Sequence, residues 1–415
     1  MTTGLQSQLA LLRRRLTRID NKYRRPPLRP ARYHADEMLP GEVVENSRGR
    51  FFLHEKFFPA HRRHGPVEFS SLAELPADLL PAISRGQVPA CPPQRWAFLD
   101  TETTGLAGGA GTCAFLVGVG AIEDAGFRLR LFFMRDFDEE PAMLEALAEH
   151  LARYDCLITY NGKAYDAPLL QTRYVMARMP SPLDRLAHLD LLAAARRLWR
   201  LRLETCRLVE LEHHVLGVLR EGDLPSEMIP YYYFEYLRTR QAFRLVPLFH
   251  HNIMDITTLA ALTATMLPVF ANPAAAPLDH GQDLLGLARW LRQNAPPEAS
   301  PEVLAAYRRA LDRGLPDDSL FAALWEISLI EKKLGRRPQA VAVWNDLAAV
   351  KNSFRLPALE ELAKHYEHAE RNYHLALQFT DTALTLHPLP ALQHRRHRLS
   401  RKLAPPDFRL LTPDS

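Results

Sequence analysis

Four short apolar segments between residues 95 and 160 constrain the fold of this chain more than any other feature. Three follow one another closely, R-W-A-F-L-D, T-C-A-F-L-V-G-V-G-A-I-E and F-R-L-R-L-F-F-M, and the fourth is D-C-L-I-T-Y. Their length and their β-branched and aromatic residues predict strands. Between the third and fourth, E-E-P-A-M-L-E-A-L-A-E-H-L has acids and a proline in its first turn, which predicts a helix. Strands followed by helices in this order predict an α/β domain over residues 95–270.

A Pro/Ala-rich break at residues 271–281 separates this domain from a second one. Beyond the break the segments have a helical pattern, which predicts an all-α domain over residues 282–400. Small residues recur there at Ala306, Ala340 and Ala376, with spacings of 34 and 36 residues. These spacings are typical of tetratricopeptide repeats, in which each small residue would open the second helix of a helix–turn–helix pair. A plain helical bundle with small residues at its contacts remains the alternative.

The region before the α/β domain is unusually basic at its start. Residues 1–94 alternate helix-like and proline-punctuated pieces, and we assign them to a basic N-terminal accessory region. Residues 1–35 contain nine Lys or Arg and one acid, Asp20, whereas the whole 415-residue chain has a net charge of +4, so the remainder is net negative. The basic segment could follow a nucleic-acid backbone through its phosphates. A solvated arginine-rich helix and an organellar leader are the alternatives.

The sequence indicates neither a membrane protein nor a secreted one. No apolar run approaches the ~18 residues of a membrane span, and Arg13, Arg14 and Arg15 stand where a signal peptide would be apolar. The four cysteines are widely spaced and include no C-x-x-C pair, so neither a disulfide framework nor a zinc site is expected. We expect a soluble cytoplasmic protein that does not bind a membrane.

Two acids end the first predicted strand, in the motif D-T-E-T-T-G-L that runs from Asp100 to Leu106. Residues two apart on a strand point to the same face, so Asp100 and Glu102 would project side by side. Two adjacent carboxylates remain ionised only with a cationic partner, and Mg²⁺ or Mn²⁺ provides one through oxygen ligands. The pattern D-x-E is also common in surface turns, but its position at a strand end favours a metal site.

Two further acids occur in comparable contexts. Asp166 follows the fourth strand through the turn Y-N-G-K-A-Y-D and begins a helix, where it could alternatively serve as the helix cap. H-H-N-I-M-D begins an apolar helix, and its His251 and Asp255 are four residues apart, so they would share one helical face. His250 would be rotated away from that face by about 140° at ~3.6 residues per turn, unless it precedes the helix.

These motifs carry a family resemblance. Four acids match, in order and context, those of the DEDD superfamily of 3′–5′ exonucleases: Asp100, Glu102, Asp166 and Asp255. Over about residues 95–268, the sequence resembles the YprB-like branch of that superfamily. The motifs that carry this resemblance are F-L-D-T-E-T-T-G-L, Y-N-G-K-A-Y-D, H-L-D-L-L and H-N-x-x-D. The resemblance implies a ribonuclease H-like domain with a mixed central sheet, a C-terminal tetratricopeptide region, and 3′–5′ exonuclease activity on DNA or RNA with two Mg²⁺ or Mn²⁺ ions.

The resemblance also implies roles for single residues. Asp100 would bridge two metals, Glu102 and Asp255 would bind the first, and Asp166 the second. A neutral histidine would take the proton from the attacking water, and both His250 and His251 match a family spacing, although the shared helical face favours His251. Expected substrate contacts are Thr103, Leu106 under the terminal base, Asn161 and Lys163.

Other interpretations of the chain remain open. An endonuclease of the ribonuclease H or resolvase type is one alternative on the same fold. The other is a catalytically idle nuclease fold that binds nucleic acid and recruits protein partners through its helical repeats. Two weaker motifs are assigned structural roles: E-L-E-H-H at residues 210–214 as a surface helix, and Asp190 of H-L-D-L-L as a support for the site.

Overall fold

The structure is a computed structural model of the chain. It describes residues 38–105, 111–220, 222–294 and 296–404, together with Arg14, Arg15 and Arg18. The chain forms two units that divide between Ala276 and Pro277, which lies inside the break at residues 271–281.

The first unit is built on a mixed β-sheet. Among the described residues, the strands are β1 (Glu42–Asn46), β2 (Gly49–Pro59), β3 (Arg63–His64), β4 (Val67–Glu68), β5 (Trp96–Thr103), β6 (Ala114–Glu123), β7 (Gly126–Phe133), β8 (Cys156–Thr159) and β9 (Ala187–Asp190). Seven of these described strands pair in the order β1-β2-β7-β6-β5-β8-β9, and β3 and β4 form a separate pair. Strand β5 pairs antiparallel with β6 and parallel with β8, so the sheet changes from antiparallel to parallel at the acid-bearing strand.

Helices accompany this sheet along the first unit. Within the described ranges they are α1 (Phe69–Ala73), α2 (Leu79–Ser84), α3 (Glu140–Leu151), α4 (Asp166–Met176), α5 (Leu192–Trp199), α6 (Leu208–His214), α7 (Ile229–Thr239) and α8 (Val246–Ala271). The mixed sheet flanked by helices confirms the predicted α/β fold class with a mixed central sheet.

The predicted boundary at residue 95 cuts through this sheet. Strands β1 and β2 come from the region that we assigned an accessory role, and β2 pairs antiparallel with β7 from Phe52 opposite Phe133 to Pro59 opposite Gly126. The alternating segment G-R-F-F-L-H-E-K-F-F-P therefore belongs to the α/β unit. The basic segment 1–35 lies outside the described residues, apart from Arg14, Arg15 and Arg18.

Helix α8 packs against β5 and β6 and forms much of the core. It approaches β6 closely at Gly118, where an added Cβ atom would lie 2.0 Å from Oδ1 of Asn252 and 2.3 Å from Cδ1 of Ile256. A side chain at this position would push the helix away from the sheet. The glycine thus sets the distance between β5, which carries Asp100, and α8.

The segment Ala242–Ala271 is long and apolar enough, by length and composition, to cross a membrane. The expectation that no apolar run is long enough for a membrane span is corrected here, because polar residues of H-H-N-I-M-D interrupt the apolar pattern in the sequence. Of its most apolar window, 72% is buried inside the fold, and the core helix of a soluble protein passes the same test. Packing against the sheet explains the hydrophobicity of this helix.

The second unit is all-helical in its described part, as predicted. Its helices are α9 (Gly281–Asn294), α10 (Ser300–Asp312), α11 (Asp317–Lys333), α12 (Arg337–Ala349), α13 (Arg355–His368), α14 (Tyr373–Leu386) and α15 (Pro390–Leu403). Each contacts the next along the chain. Ala306, Ala340 and Ala376 are buried in α10, α12 and α14, the second members of successive pairs. The assignment of these pairs to tetratricopeptide repeats stays a prediction.

Candidate active site

The two acids of β5 point to the same side of the sheet and share one hydrogen-bond donor. Nδ2 of Asn252, on α8, donates to Oδ2 of Asp100 at 2.8 Å and lies 3.4 Å from Oε1 of Glu102. Glu102 and Asn252 are buried and Asp100 is half-buried. Since one amide reaches both carboxylates, it holds them together above the end of the strand. The sequence analysis gave Asn252 no role of its own.

The third acid, Asp166, is the first residue of α4 and is buried. Its Oδ1 accepts a hydrogen bond from Oγ1 of Thr101 at 2.5 Å, so the carboxylate is attached to the same strand as the acid pair. The preceding turn is held by Asp190, whose oxygens accept from the backbone N–H groups of Asn161 at 2.8 Å and Lys163 at 3.1 Å. This agrees with the supporting role expected for Asp190.

The fourth acid, Asp255, lies one turn after His251 on α8. Nε2 of His251 is 3.3 Å from Oδ2 of Asp255, and its Nδ1 is 2.8 Å from Oδ1 of Asp223. The ligand atoms of Glu102, His251 and Asp255 all lie within 4.8 Å of one another. His251 is buried among these groups, whereas His250 is exposed. The choice of His251 as the base stays a prediction.

A buried arginine that the sequence analysis missed completes the cluster. The Arg220 side chain is 4% exposed, and its Nη2 lies 2.5 Å from Oδ1 of Asp255 and 2.5 Å from Oε2 of Glu212, with Nη1 3.1 Å from Oδ2 of Asp223. Glu212 is fully buried on α6, so the prediction of a surface helix over residues 210–214 was wrong for this residue. No local pattern links Arg220 to Asp255, because the two residues are 35 positions apart.

Burial and neighbouring negative charges disfavour the ionised form of the carboxylates in this cluster. Burial, followed by the charges of Asp255, Glu102 and Asp166, raises the pKa of Asp100 well above its usual range. Burial likewise raises the pKa of Glu102 to about 7 and that of Asp166 to about 6. Such a concentration of raised carboxyl pKa values is typical of sites that bind a cation.

The pKa of His251 does not fit the expectation that its imidazole is neutral. Burial lowers its pKa, but the charge of Asp255, the hydrogen bond to Asp223 and the charge of Glu102 outweigh burial and raise the pKa to about 10. Without a metal, the imidazole is therefore protonated near neutral pH and cannot accept a proton. Neutralisation of Glu102 and Asp255 by bound cations would remove the charges that keep it protonated.

The donor set of the cluster fits a hard divalent cation. Asp100, Glu102, Asp166 and Asp255 offer carboxylate oxygens, which Mg²⁺ and Mn²⁺ prefer, and burial together with repulsion from the other three acids raises the pKa of Asp100. Both oxygens of Asp255 contact cationic side chains, Arg220 and His251, but a carboxylate oxygen has a second lone pair for another partner. The four carboxylates therefore fit the expected Mg²⁺ or Mn²⁺ ions.

The described members of the expected substrate-binding set have different surroundings. Thr103 donates a hydrogen bond to the backbone oxygen of Gly105 at 2.9 Å, and Lys163 is exposed. Asn161 lines a groove that is also lined by His251 and Asp255. Leu106 lies outside the described residues.

Comparison with known proteins agrees with the fold of this domain. Residues 97–267 match the family model of the RNase_H superfamily. This match supports a ribonuclease H-like fold for the first unit, and it also supports a nuclease-type activity. The chain is also similar to the protein named "Uncharacterized protein YprB" of Bacillus subtilis (strain 168), with 29% identity over 340 residues that cover 80% of each chain.

Proposed function

We propose that this chain is a divalent-metal-dependent 3′–5′ exonuclease that hydrolyses phosphodiester bonds of DNA or RNA. The observation that supports it most is the convergence of four carboxylates from β5, α4 and α8: burial, and then the charges of Asp255, Glu102 and Asp166, raise the pKa of Asp100. A structural role would not require so many buried acids at one place, since each uncompensated charge destabilises the fold.

The residues have distinct tasks in this proposal. Asp100, Glu102, Asp166 and Asp255 would hold two ions, with Asp100 shared between them, Glu102 and Asp255 on one and Asp166 on the other. When bound, the ions would supply an activated water and charge stabilisation at the scissile phosphate and the leaving 3′ oxygen. Asn252 fixes the directions of Asp100 and Glu102.

Proton transfer and substrate positioning fall to neighbouring residues. His251 accepts the proton of the attacking water once the surrounding carboxylates are neutralised. Asn161, Lys163, Thr103 and Leu106 contact the terminal nucleotide. The second unit binds a protein partner through tetratricopeptide-like repeats, and the protein acts in the cytoplasm.

One observation favours the alternative of an inactive nuclease fold that binds nucleic acid. The Arg220 guanidinium lies 2.5 Å from Asp255 and places a permanent positive charge within the acid cluster. In an idle fold this arginine would take the place of a metal. In the proposed exonuclease it holds Asp255 in position beside the ions.

The test is degradation of end-labelled oligonucleotides with Mg²⁺, Mn²⁺ or excess EDTA. The proposal predicts that 5′-labelled strands shorten stepwise from the 3′ end only when metal is present. A phosphorothioate linkage at the 3′ end should block this shortening. Comparison of single-stranded and double-stranded DNA and RNA in this assay identifies the preferred substrate. Asp136→Asn is a matched control, because Asp136 is an acid of the same unit that pairs with Arg240 outside the cluster. Binding without cleavage under all conditions would favour the idle fold.

A further inference from the structure

A large groove opens beside the carboxylate cluster. It has a volume of about 1640 Å³, and both His251 and Asp255 line it. Small-molecule pockets are ~300–1,000 Å³, so this groove is larger than a single small ligand requires. Its size and its continuity with the acids fit a polymer that extends beyond the reacting bond.

Three arginines of this groove define what we call the arginine groove: Arg196, Arg200 and Arg207. Arg196 lies on α5 and Arg200 directly follows that helix, so the two are one turn apart on the same face. Arg207 is the residue before α6. All three are exposed.

The described part of the fold gives these arginines no carboxylate at ion-pair distance. Within the described ranges, no carboxylate lies within 4 Å of Arg196, Arg200 or Arg207, whereas Arg220 contacts three. A guanidinium remains charged at any physiological pH and matches the geometry of a phosphate. Three such groups without partners, next to a site that fits metal ions, indicate an anionic ligand.

The rest of the lining shows which kind of anion fits. Val209 and Leu219 line the same groove and are exposed, Leu219 to 71%. Apolar surface beside arginines suits a ligand with both bases and phosphates. Glu204 also lines the groove and would repel such a ligand, which provides a charge control of opposite sign.

We propose that the arginine groove binds the sugar-phosphate backbone of the strand whose 3′ end lies at the carboxylate cluster. This inference rests on the proposed function for the position of the strand end. Arg15 and Arg18 also line the groove, so these two described arginines add positive charge to the same path. Each phosphate contact adds ~0.7 to the salt slope of binding for a single strand and ~0.9 for a duplex, so three arginines account for a slope of about 2 to 3.

The test compares two triple variants in an Asp100→Asn background. Binding of a labelled oligonucleotide is measured across a salt series for Arg196→Gln/Arg200→Gln/Arg207→Gln and for the control Arg48→Gln/Arg50→Gln/Arg62→Gln. The control arginines are exposed and do not line the groove. The groove variant should bind more weakly, with a salt slope lower by about 2, and the control should keep the wild-type slope.

Two further measurements sharpen the test. Glu204→Gln should strengthen binding, because it removes a negative charge from the same groove. With Asp100 intact, the groove variant should raise KM for an oligonucleotide more than it lowers kcat. Equal salt slopes for the groove variant and the control, or unchanged binding in Glu204→Gln together with an unchanged KM, would overturn the inference.

Failure of the proposed function would give a different result. Hydrolysis of bis(p-nitrophenyl) phosphate with Mn²⁺ by the wild-type chain tests the chemistry without the groove. If the chain hydrolyses neither this ester nor oligonucleotides, the exonuclease proposal fails. The salt series still decides whether the groove binds nucleic acid, because it measures binding and not turnover.

Discussion

Replacing Arg220 with methionine removes the one charge that three buried or half-buried carboxylates share. Methionine keeps much of the side-chain volume, so the main change is the loss of the ion pairs to Glu212, Asp223 and Asp255. Breaking a buried pair by removing one partner costs ~3–5 kcal/mol, because the remaining charge is left without compensation. The fully buried Glu212 carries most of this cost. We expect the free energy of unfolding of the first unit to fall by about that amount near neutral pH.

The pH dependence of this loss has a definite sign. Burial already raises the pKa of Glu212 above its usual value, and loss of Arg220 raises it further. A group with a raised folded-state pKa stabilises the fold below its unfolded pKa, and this stabilisation is lost as pH rises through the folded pKa. The free energy of unfolding of Arg220→Met should therefore fall furthest below that of wild type near pH ~8, and the difference should be smaller near pH ~5.

The assay is urea denaturation of the metal-free proteins, with hydrogen exchange of α8 peptides to identify the transition of the first unit. Arg48→Met is the matched control, because Arg48 forms one 3.4 Å pair with Glu145 and is 41% exposed. Exposed pairs contribute ~0–1 kcal/mol. If Arg220→Met lowers the free energy of unfolding no more than Arg48→Met does at both pH values, Arg220 does not compensate the charge of the buried acids.

Three further predictions concern the base, the metal and the basic segment. His251→Ala should lower kcat by ~10²–10⁴, whereas His250→Ala should have little effect; the reverse order would refute the helix-face argument. Because the pKa of Glu102 is raised to about 7 and that of Asp166 to about 6, Mn²⁺ must displace protons, so calorimetry should find proton release and an affinity that rises between pH ~5.5 and ~8. A pH-independent affinity would contradict these pKa shifts. Deletion of residues 1–35 should flatten the salt dependence of oligonucleotide binding and leave turnover of saturating substrate nearly unchanged; an unaltered salt slope would show that these arginines do not contact phosphates.

The sequence predicted those features that depend on local patterns. Strand alternation placed Asp100 and Glu102 on one face, and the shared amide of Asn252 shows that they are on one face. Helical spacing placed His251 and Asp255 one turn apart, and they are 3.3 Å apart in the structure. These relations follow from the fixed geometry of strands and helices, so they need no knowledge of the fold.

The remaining features depend on contacts between distant segments. The pairing of β2 with β7 joins residues 75 positions apart at Glu55 and Arg130, which no local pattern indicates. Arg220 contacts both Glu212 and Asp255 only because the segment after α6 lies beside α8. The close approach at Gly118 likewise becomes evident only when α8 is placed on the sheet.

The central claim is that this acid cluster performs metal-dependent hydrolysis at a 3′ end. The most direct measurement is the initial rate of 3′-terminal nucleotide release with Mn²⁺ by wild type and Asp100→Asn, with circular dichroism to confirm the fold of both. We expect release by wild type, none with EDTA or in the variant, and a slightly higher metal-free melting temperature in the variant, because one source of carboxylate repulsion is gone. Wild-type rates in Asp100→Asn, or release that persists in EDTA, would contradict the claim.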